Sequence, residues 1–62
     1  MKLGDVQVHP GSGLLVLIVA KGPGPFFKTL VLDAAEAPVR KTGETVNLAV
    51  SWLEWFTEKL SP

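Results

Sequence analysis

The feature that most constrains the fold is an uninterrupted apolar run, Leu-Leu-Val-Leu-Ile-Val-Ala, at residues 14–20. Successive side chains of a strand point to opposite faces of a sheet, so a run without polar residues leaves neither face suited to water. The run is far shorter than the roughly 20 residues of a membrane-spanning helix. Because a chain of 62 residues rarely covers both faces of such a strand by itself, the run predicts a partner.

Composition narrows the class of protein. Six Lys and Arg balance six Asp and Glu, so there is no basic surplus of the kind that nucleic-acid binders use to neutralise phosphates. A neutral chain with 47% hydrophobic residues instead favours association with protein. There is no cysteine and only one histidine, so we expect no disulfide, no metal and no cofactor.

The N-terminus has some features of a signal peptide, since a basic residue precedes an apolar stretch that ends at Ala20. Asp5, His9, Pro10 and three glycines interrupt that pattern before Leu14. We therefore expect neither secretion nor a membrane segment, and a location in the cytoplasm or inside a virion. The length corresponds to a single small domain over residues 1–62.

Glycine and proline divide the chain into four predicted strands. The turn segments PGSG at 10–13 and GPGP at 22–25 separate the first three strands, and a long loop over 34–44 precedes the fourth. Alternation predicts that Val6 and Val8 face inward in the first strand. The predicted strands are residues 5–9, 14–21, 26–33 and 45–50, and the inward residues of the last are Val46, Leu48 and Val50.

The C-terminal segment begins with Ser51 and has Glu54 three residues later, a pattern typical of a helix capping box. At 100° per residue the large apolar residues from Trp52 to Leu60 fall on one side of such a helix. A 3₁₀ turn over 51–55 followed by a closing strand over 56–60 is the alternative, and the sequence leaves both open.

Three segments carry a resemblance to a known class of protein. KLGDVQV at 2–8, GSGL at 11–14 and FKTLVLD at 27–33 resemble the first half of small SH3-like barrel proteins, including compact ones encoded by bacteriophages. The resemblance implies a mainly β fold: an SH3-like barrel or a curled antiparallel sheet of four or five short strands, with a short C-terminal helix. It also implies a binding or structural module that acts by contact.

We therefore expect a non-enzymatic structural or interaction protein that self-associates as a homo-oligomer or docks into a larger assembly, with a phage particle as the implied setting. Tryptophan and large apolar side chains are the residues that most often anchor protein interfaces. The candidate interface residues are Leu14, Val16, Ile18, Trp52, Trp55 and Phe56.

Two alternatives come from other functional classes. The opening strand also resembles a KOW-type nucleic-acid element, for which Lys21, Lys28, Arg40 and Lys41 would have to form a basic patch.

A small hydrolase would use Ser12 as nucleophile, His9 as base and Asp5 to orient the base. However, residues three apart across a Pro-Gly turn have no evident reason to align. We therefore expect no catalytic residue, and both alternatives rank below the interaction module.

Overall fold

The computed structural model describes residues 1–60, which form one open, five-stranded antiparallel sheet and one short helix. Four strands precede the helix, and a two-residue strand follows it. The prediction of a mainly β fold with a short C-terminal helix is confirmed. The elements are β1 Val6–His9, β2 Leu14–Lys21, β3 Phe26–Asp33, β4 Thr45–Ala49, α1 Val50–Phe56 and β5 Glu58–Lys59.

The strand order of the sheet is β4-β3-β2-β1-β5. The first four strands follow one another as antiparallel hairpins, which is why short glycine- and proline-containing turns suffice to connect β1, β2 and β3. After the helix, β5 returns to the free edge of β1, where Lys59 lies opposite Gln7. The apolar run therefore forms the central strand of the sheet.

The register of the strands defines two faces of the sheet. The inner face contains Val16 with its partners Gln7 and Val31, and the outer face contains Leu17 with its partners Val6 and Leu30. Alternation along each strand assigns the remaining residues. The inner face comprises Gln7, His9, Leu14, Val16, Ile18, Phe27, Thr29, Val31, Val46 and Leu48, and the outer face comprises Val6, Val8, Leu15, Leu17, Phe26, Lys28, Leu30, Thr45, Asn47 and Ala49.

The hydrophobic core lies between the inner face and α1. Leu53 of the helix is fully buried against Val16 and Val31 of the central strands, and Trp52 packs beside it. The helix and the inner face thus share one core. Its buried members are Leu14, Val16, Val31, Leu48 and Leu53.

Two irregularities interrupt the pairing of β2 with β3. The register shifts between Ile18 and Ala20, where Val19 is the extra residue, and again opposite Leu15 and Val16, where Leu32 is the extra residue. A bulge bends its strand and increases the local twist. These two bulges curl the sheet around the small helix.

The predicted facing of β1 is wrong. Val6 and Val8 lie on the outer face, whereas Asp5 and Gln7 are buried, with 7% and 4% of their surface exposed. The polar side chains are stable there because both have partners: the Asp5 carboxylate accepts from the backbone N–H of Lys2, and the Gln7 amide oxygen lies 3.1 Å from the Thr57 hydroxyl. Period-two alternation alone cannot distinguish which set faces the core.

The predicted capping box is also wrong. The helix begins at Val50, its N-cap is Ala49, and no side chain caps it, so Ser51 lies inside the first turn. The backbone N–H of Val50 donates to the Pro25 carbonyl at 2.9 Å, which fixes the chain where β4 ends. β4 accordingly stops before Val50, which had been expected to be its last inward residue.

The helix is shorter than its apolar pattern predicts. Thr57 has an extended backbone, its N–H donates to the Leu53 carbonyl, and its hydroxyl contacts the same oxygen. The chain then pairs with β1, and the N–H of Leu60 donates to the Val6 carbonyl at 2.8 Å. The C-terminal segment therefore combines parts of both sequence alternatives, a short helix followed by a closing strand.

Leu53 should be the most sensitive position of the helix. We expect Leu53→Ala to lower the free energy of unfolding by about 2–5 kcal/mol, because truncation leaves a cavity in the shared core. Trp55 is 82% exposed, so Trp55→Ala should change it by no more than about 0.5 kcal/mol. Urea denaturation followed by far-UV circular dichroism measures both, and equal losses would contradict the packing described for α1.

Ala35 is the one non-glycine residue among residues 1–60 with a positive φ, at 47°. We expect Ala35→Gly to stabilise the fold by about 0.5–1 kcal/mol. A left-handed L-residue costs ~1–2 kcal/mol, and the extra freedom of glycine in the unfolded chain offsets ~0.4–1 kcal/mol of the gain. Ala34→Gly is the matched control and should not stabilise. A destabilised Ala35→Gly variant in urea denaturation would count against the left-handed conformation.

Candidate functional site

The outer face of the sheet is an apolar surface that the fold leaves partly open. Leu17 lies at its centre, between Val6 and Leu30, and all three side chains are only half-buried. Around this centre Val19, Phe26 and Leu32 are each 38% exposed. The only helix among residues 1–60 packs on the inner face, so no helix of the described chain covers the outer face. Large exposed apolar patches are typical of interaction sites.

The charged residues of the outer face lie at its margins. Lys28 lies on β3 and Glu58 on β5, on opposite sides of β2 and β1. Asp33 lies opposite Leu15 at the end of β3, where its carboxylate accepts the N–H of Ala35 at 2.9 Å. The face thus has the apolar centre and polar rim of a protein interface.

Three of the predicted interface residues are core residues. Leu14, Val16 and Ile18 are 5%, 1% and 0% exposed and lie on the inner face, where Leu14 and Val16 belong to the same cluster as Leu53 of the helix. The residues of the apolar run that remain accessible are those that do not face the core: Leu15, Leu17, Val19 and Ala20.

The predicted aromatic candidates divide between core and surface. Trp52 is half-buried and stacks on the His9 ring, with the ring centroids 5.5 Å apart and the planes 15° from parallel. Trp55 and Phe56 are 82% and 57% exposed. A helix of seven residues presents only one narrow side to the sheet. Leu53 and Trp52 lie on that side, so Trp55 lies at the surface.

His9 and Ser12 form a closely bonded pair at the β1–β2 turn. The His9 Nδ1 lies 2.8 Å from the Ser12 hydroxyl and also accepts the Ser12 backbone N–H at 3.2 Å. The Leu14 N–H donates to the same hydroxyl oxygen at 3.3 Å. The expectation that the Pro-Gly turn would not align these residues is wrong, because the turn itself is closed by their hydrogen bonds.

Asp5 does not join that pair. It lies four residues before His9 in extended chain, a separation of about 13 Å. Its carboxylate accepts from the Lys2 N–H at 3.0 Å and forms an ion pair with Lys59 at 3.6 Å. The structure therefore brings together two of the three residues of the hydrolase hypothesis and engages the third elsewhere.

The basic residues do not form one patch. Lys21 and Lys28 line a cavity of about 360 Å³ near the start of β3, together with Thr45 and Asn47. Arg40 lines a different cavity, which shares Asn47 with the first, and Lys41 lines neither. The four basic residues of the KOW-type hypothesis are therefore divided between two cavities and a loop.

Residues 1–60 contain no cluster of three or more histidine, aspartate or glutamate side chains that could hold a metal ion. Within the same residues, no helix has the length and apolar character required to cross a membrane.

Comparison with known proteins adds no relative: no family model matches the chain, and no curated protein or solved structure is significantly similar to it. The site is therefore interpreted from its own geometry.

Two features of the surface were not anticipated from the sequence. The exposed face of β2 depends on which alternating set packs against the helix, and no residue of the run itself carries that information. The His9–Ser12 pair had a local signal, since a serine three residues after a histidine, across a turn, is placed to bond back to it.

Acidification tests the Asp5 site. The hydrogen bond from Lys2 lowers the pKa of the Asp5 carboxyl below its ordinary value of 3.8, and the positive charges of Lys59, the N-terminus and Lys2 add to the effect. A carboxyl group with a lowered pKa in the folded state stabilises the fold above its unfolded pKa and loses that contribution as pH falls through its folded pKa.

We therefore expect the free energy of unfolding of the wild type to fall more steeply below about pH 4 than that of Asp5→Asn. Urea denaturation at a series of pH values measures the slopes. Glu54→Gln removes an exposed carboxylate and controls for the loss of one negative charge. Identical slopes for wild type and Asp5→Asn would show that Asp5 has no such role.

Proposed function

We propose that this protein is a non-enzymatic interaction module that self-associates through the outer face of its sheet. The observation that carries the proposal is the half-buried to exposed apolar surface centred on Leu17, which no helix of residues 1–60 covers. Covering such a surface removes apolar area from water, which stabilises the complex by about 25 cal/mol per Å² of apolar area buried. The same contact explains why both faces of β2 are apolar.

The size of the domain favours a second copy as the partner. A standard protein interface covers about 800 Å² on each side, which is roughly a fifth of the 3981 Å² surface of this chain. A zero net charge means that two copies approach without overall repulsion. A two-fold dimer also needs only one self-complementary patch.

The charges at the margin of the outer face support the same partner. Lys28 and Glu58 lie toward opposite sides of the face, on β3 and β5. A two-fold axis through the middle of the face, perpendicular to the line joining them, places Lys28 of one copy near Glu58 of the other, and does so twice. Complementary rim charges set orientation more than affinity.

Trp55 and Phe56 provide a second exposed surface on α1. In a larger assembly, such as the phage particle implied by the sequence resemblance, these aromatics are suited to anchor a further protein contact. Self-association through the outer face leaves them accessible, so the two surfaces have separable tests.

Solution mass over a concentration series tests the proposal. In sedimentation or light scattering the mass should rise above the 6.7 kDa of the monomer toward a dimer with increasing concentration. Leu17→Lys should keep it monomeric, because it places two charges in the centre of the dimer interface. Val39→Lys is the matched control, since Val39 is a loop residue with 75% exposure.

The variants distinguish the competing results. Leu17→Thr gives a milder test if Leu17→Lys fails to fold, and circular dichroism checks both. A wild type that stays monomeric at about millimolar concentration would overturn the proposal, because a weaker association is negligible. A dimer lost in Trp55→Ala but retained in folded Leu17→Lys would also overturn it, by assigning the contact to the helix.

A charge exchange tests the orientation of the dimer. Lys28→Glu should weaken association on the order of tenfold, since two exposed pairs of up to about 1 kcal/mol each become repulsive. Combining it with Glu58→Lys should restore the affinity and its salt dependence. Additive losses in the double variant would contradict the placement of Lys28 against Glu58.

A further inference from the structure

A separate cavity of about 430 Å³ opens between the β1–β2 turn, the loop after β3 and the beginning of α1. It lies at the β4 edge of the sheet, where Asn47 and Ala49 of the outer face also border it, and it does not include Leu17. Its volume is within the range of about 300–1,000 Å³ that is usual for small-molecule sites. The lining residues are His9, Ser12, Leu14, Ala37, Pro38, Val39, Arg40, Asn47, Leu48, Ala49 and Trp52.

The walls of the cavity are apolar and partly flat. Leu14 and Leu48 belong to the core, and Trp52 lies between them and the stacked ring of His9. The loop residues from Ala37 to Val39 form the opposite wall. A flat apolar ring of a ligand can therefore pack against the Trp52 indole and contact few polar groups.

The turns around the cavity are tied to one another. The backbone N–H of Glu36 donates to the Ser12 carbonyl at 3.1 Å, which joins the loop after β3 to the β1–β2 turn. Ala35, next to this bond, holds its left-handed backbone, and a Cβ built on Gly13 would lie 3.2 Å from the Ala35 Cβ. Such a preformed rim reduces the cost of ordering loops on ligand binding.

Arg40 is the one cationic residue of the lining, and it is half-buried. The only ion pair among residues 1–60 joins Lys59 to Asp5, and no side-chain hydrogen bond of these residues involves the Arg40 guanidinium. A guanidinium is suited to bind a carboxylate through two parallel hydrogen bonds. No acidic residue lines this cavity to compete for it.

His9 adds a second polar group. Its Nδ1 accepts the Ser12 N–H and lies 2.8 Å from the Ser12 hydroxyl, so Nε2 is the ring nitrogen that Ser12 does not engage. The stack on Trp52 fixes the plane of the imidazole. The lining thus combines an apolar, aromatic wall with the Arg40 guanidinium, whose charge no acidic residue of the described chain neutralises.

From these contacts we infer that the cavity binds a small aromatic monocarboxylate, whose ring packs on Trp52 and whose carboxylate pairs with Arg40. This site does not include Leu17 or its partners Val6 and Leu30, so it can be present whether or not the chain self-associates through them. The ligand class follows from the combination of an apolar cavity, an indole wall and one guanidinium that has no ionic partner among residues 1–60.

The test is a ¹H–¹⁵N NMR titration of the full chain with 4-phenylbutyrate, with its uncharged amide as the matched ligand. We expect saturable shifts at the Trp52 indole N–H and around His9 and Arg40, with at least tenfold weaker binding of the amide. A lost charge-assisted hydrogen bond corresponds to that factor. Shifts confined to the outer face, or equal affinities for acid and amide, would overturn the inference.

Arg40→Gln and Lys41→Gln are a matched pair, since each removes one positive charge from the same loop. Arg40→Gln should weaken 4-phenylbutyrate at least tenfold, and Lys41→Gln should change it less than twofold. Trp52→Leu separately tests the ring contact, with its fold checked by circular dichroism. Equal effects of the two charge removals, or no saturation by about 10 mM ligand in the wild type, would exclude a specific site.

Discussion

The rest of the structure depends on the contact of Leu53 with the inner face of β2. A seven-residue helix is not stable by itself, so its packing against Val16 and Val31 holds it in place. In return, that single leucine closes the core of a sheet that has no other helix among residues 1–60. Because one short helix covers only one face of β2, the other face remains apolar and uncovered.

The polar residues of the inner face join the end of the chain to its beginning. Gln7 lies beside Thr57 at the end of α1, and Asp5 pairs with Lys59 of β5. These contacts place β5 against β1 although its two residues offer little apolar area. Burial of polar side chains is compatible with stability here because each has a bonding partner. The cavity near Trp52 lies at the β4 edge of the sheet, whereas the proposed self-association uses the surface centred on Leu17.

Strand positions were predictable because glycine and proline mark the turns and β-branched residues fill the strands. The observed β2 and β3 therefore fall almost where alternation and composition predict them. The facing of β1 was not predictable, because Val6 and Val8 alternate as core residues do but lie on the outer face. The helix boundary also depended on a tertiary bond, from Val50 to Pro25, that overrides the Ser51 capping pattern. The candidate interface residues of β2 were predicted on the wrong face for a similar reason. A strand that is apolar on both faces does not indicate which face the helix packs against.

The most direct measurement compares the solvent accessibility of the two faces of β2 as the protein concentration rises. An inert soluble nitroxide broadens the NMR signals of exposed methyl groups, so Leu15, Leu17 and Leu30 report on the outer face, and Val16 and Ile18 on the inner face. We predict that the inner methyl groups are protected at every concentration, whereas the outer ones broaden in dilute solution and become protected as copies associate. Outer methyl groups that are protected at all concentrations, or broadened at all of them, would contradict the division of β2 between the helix and a second copy.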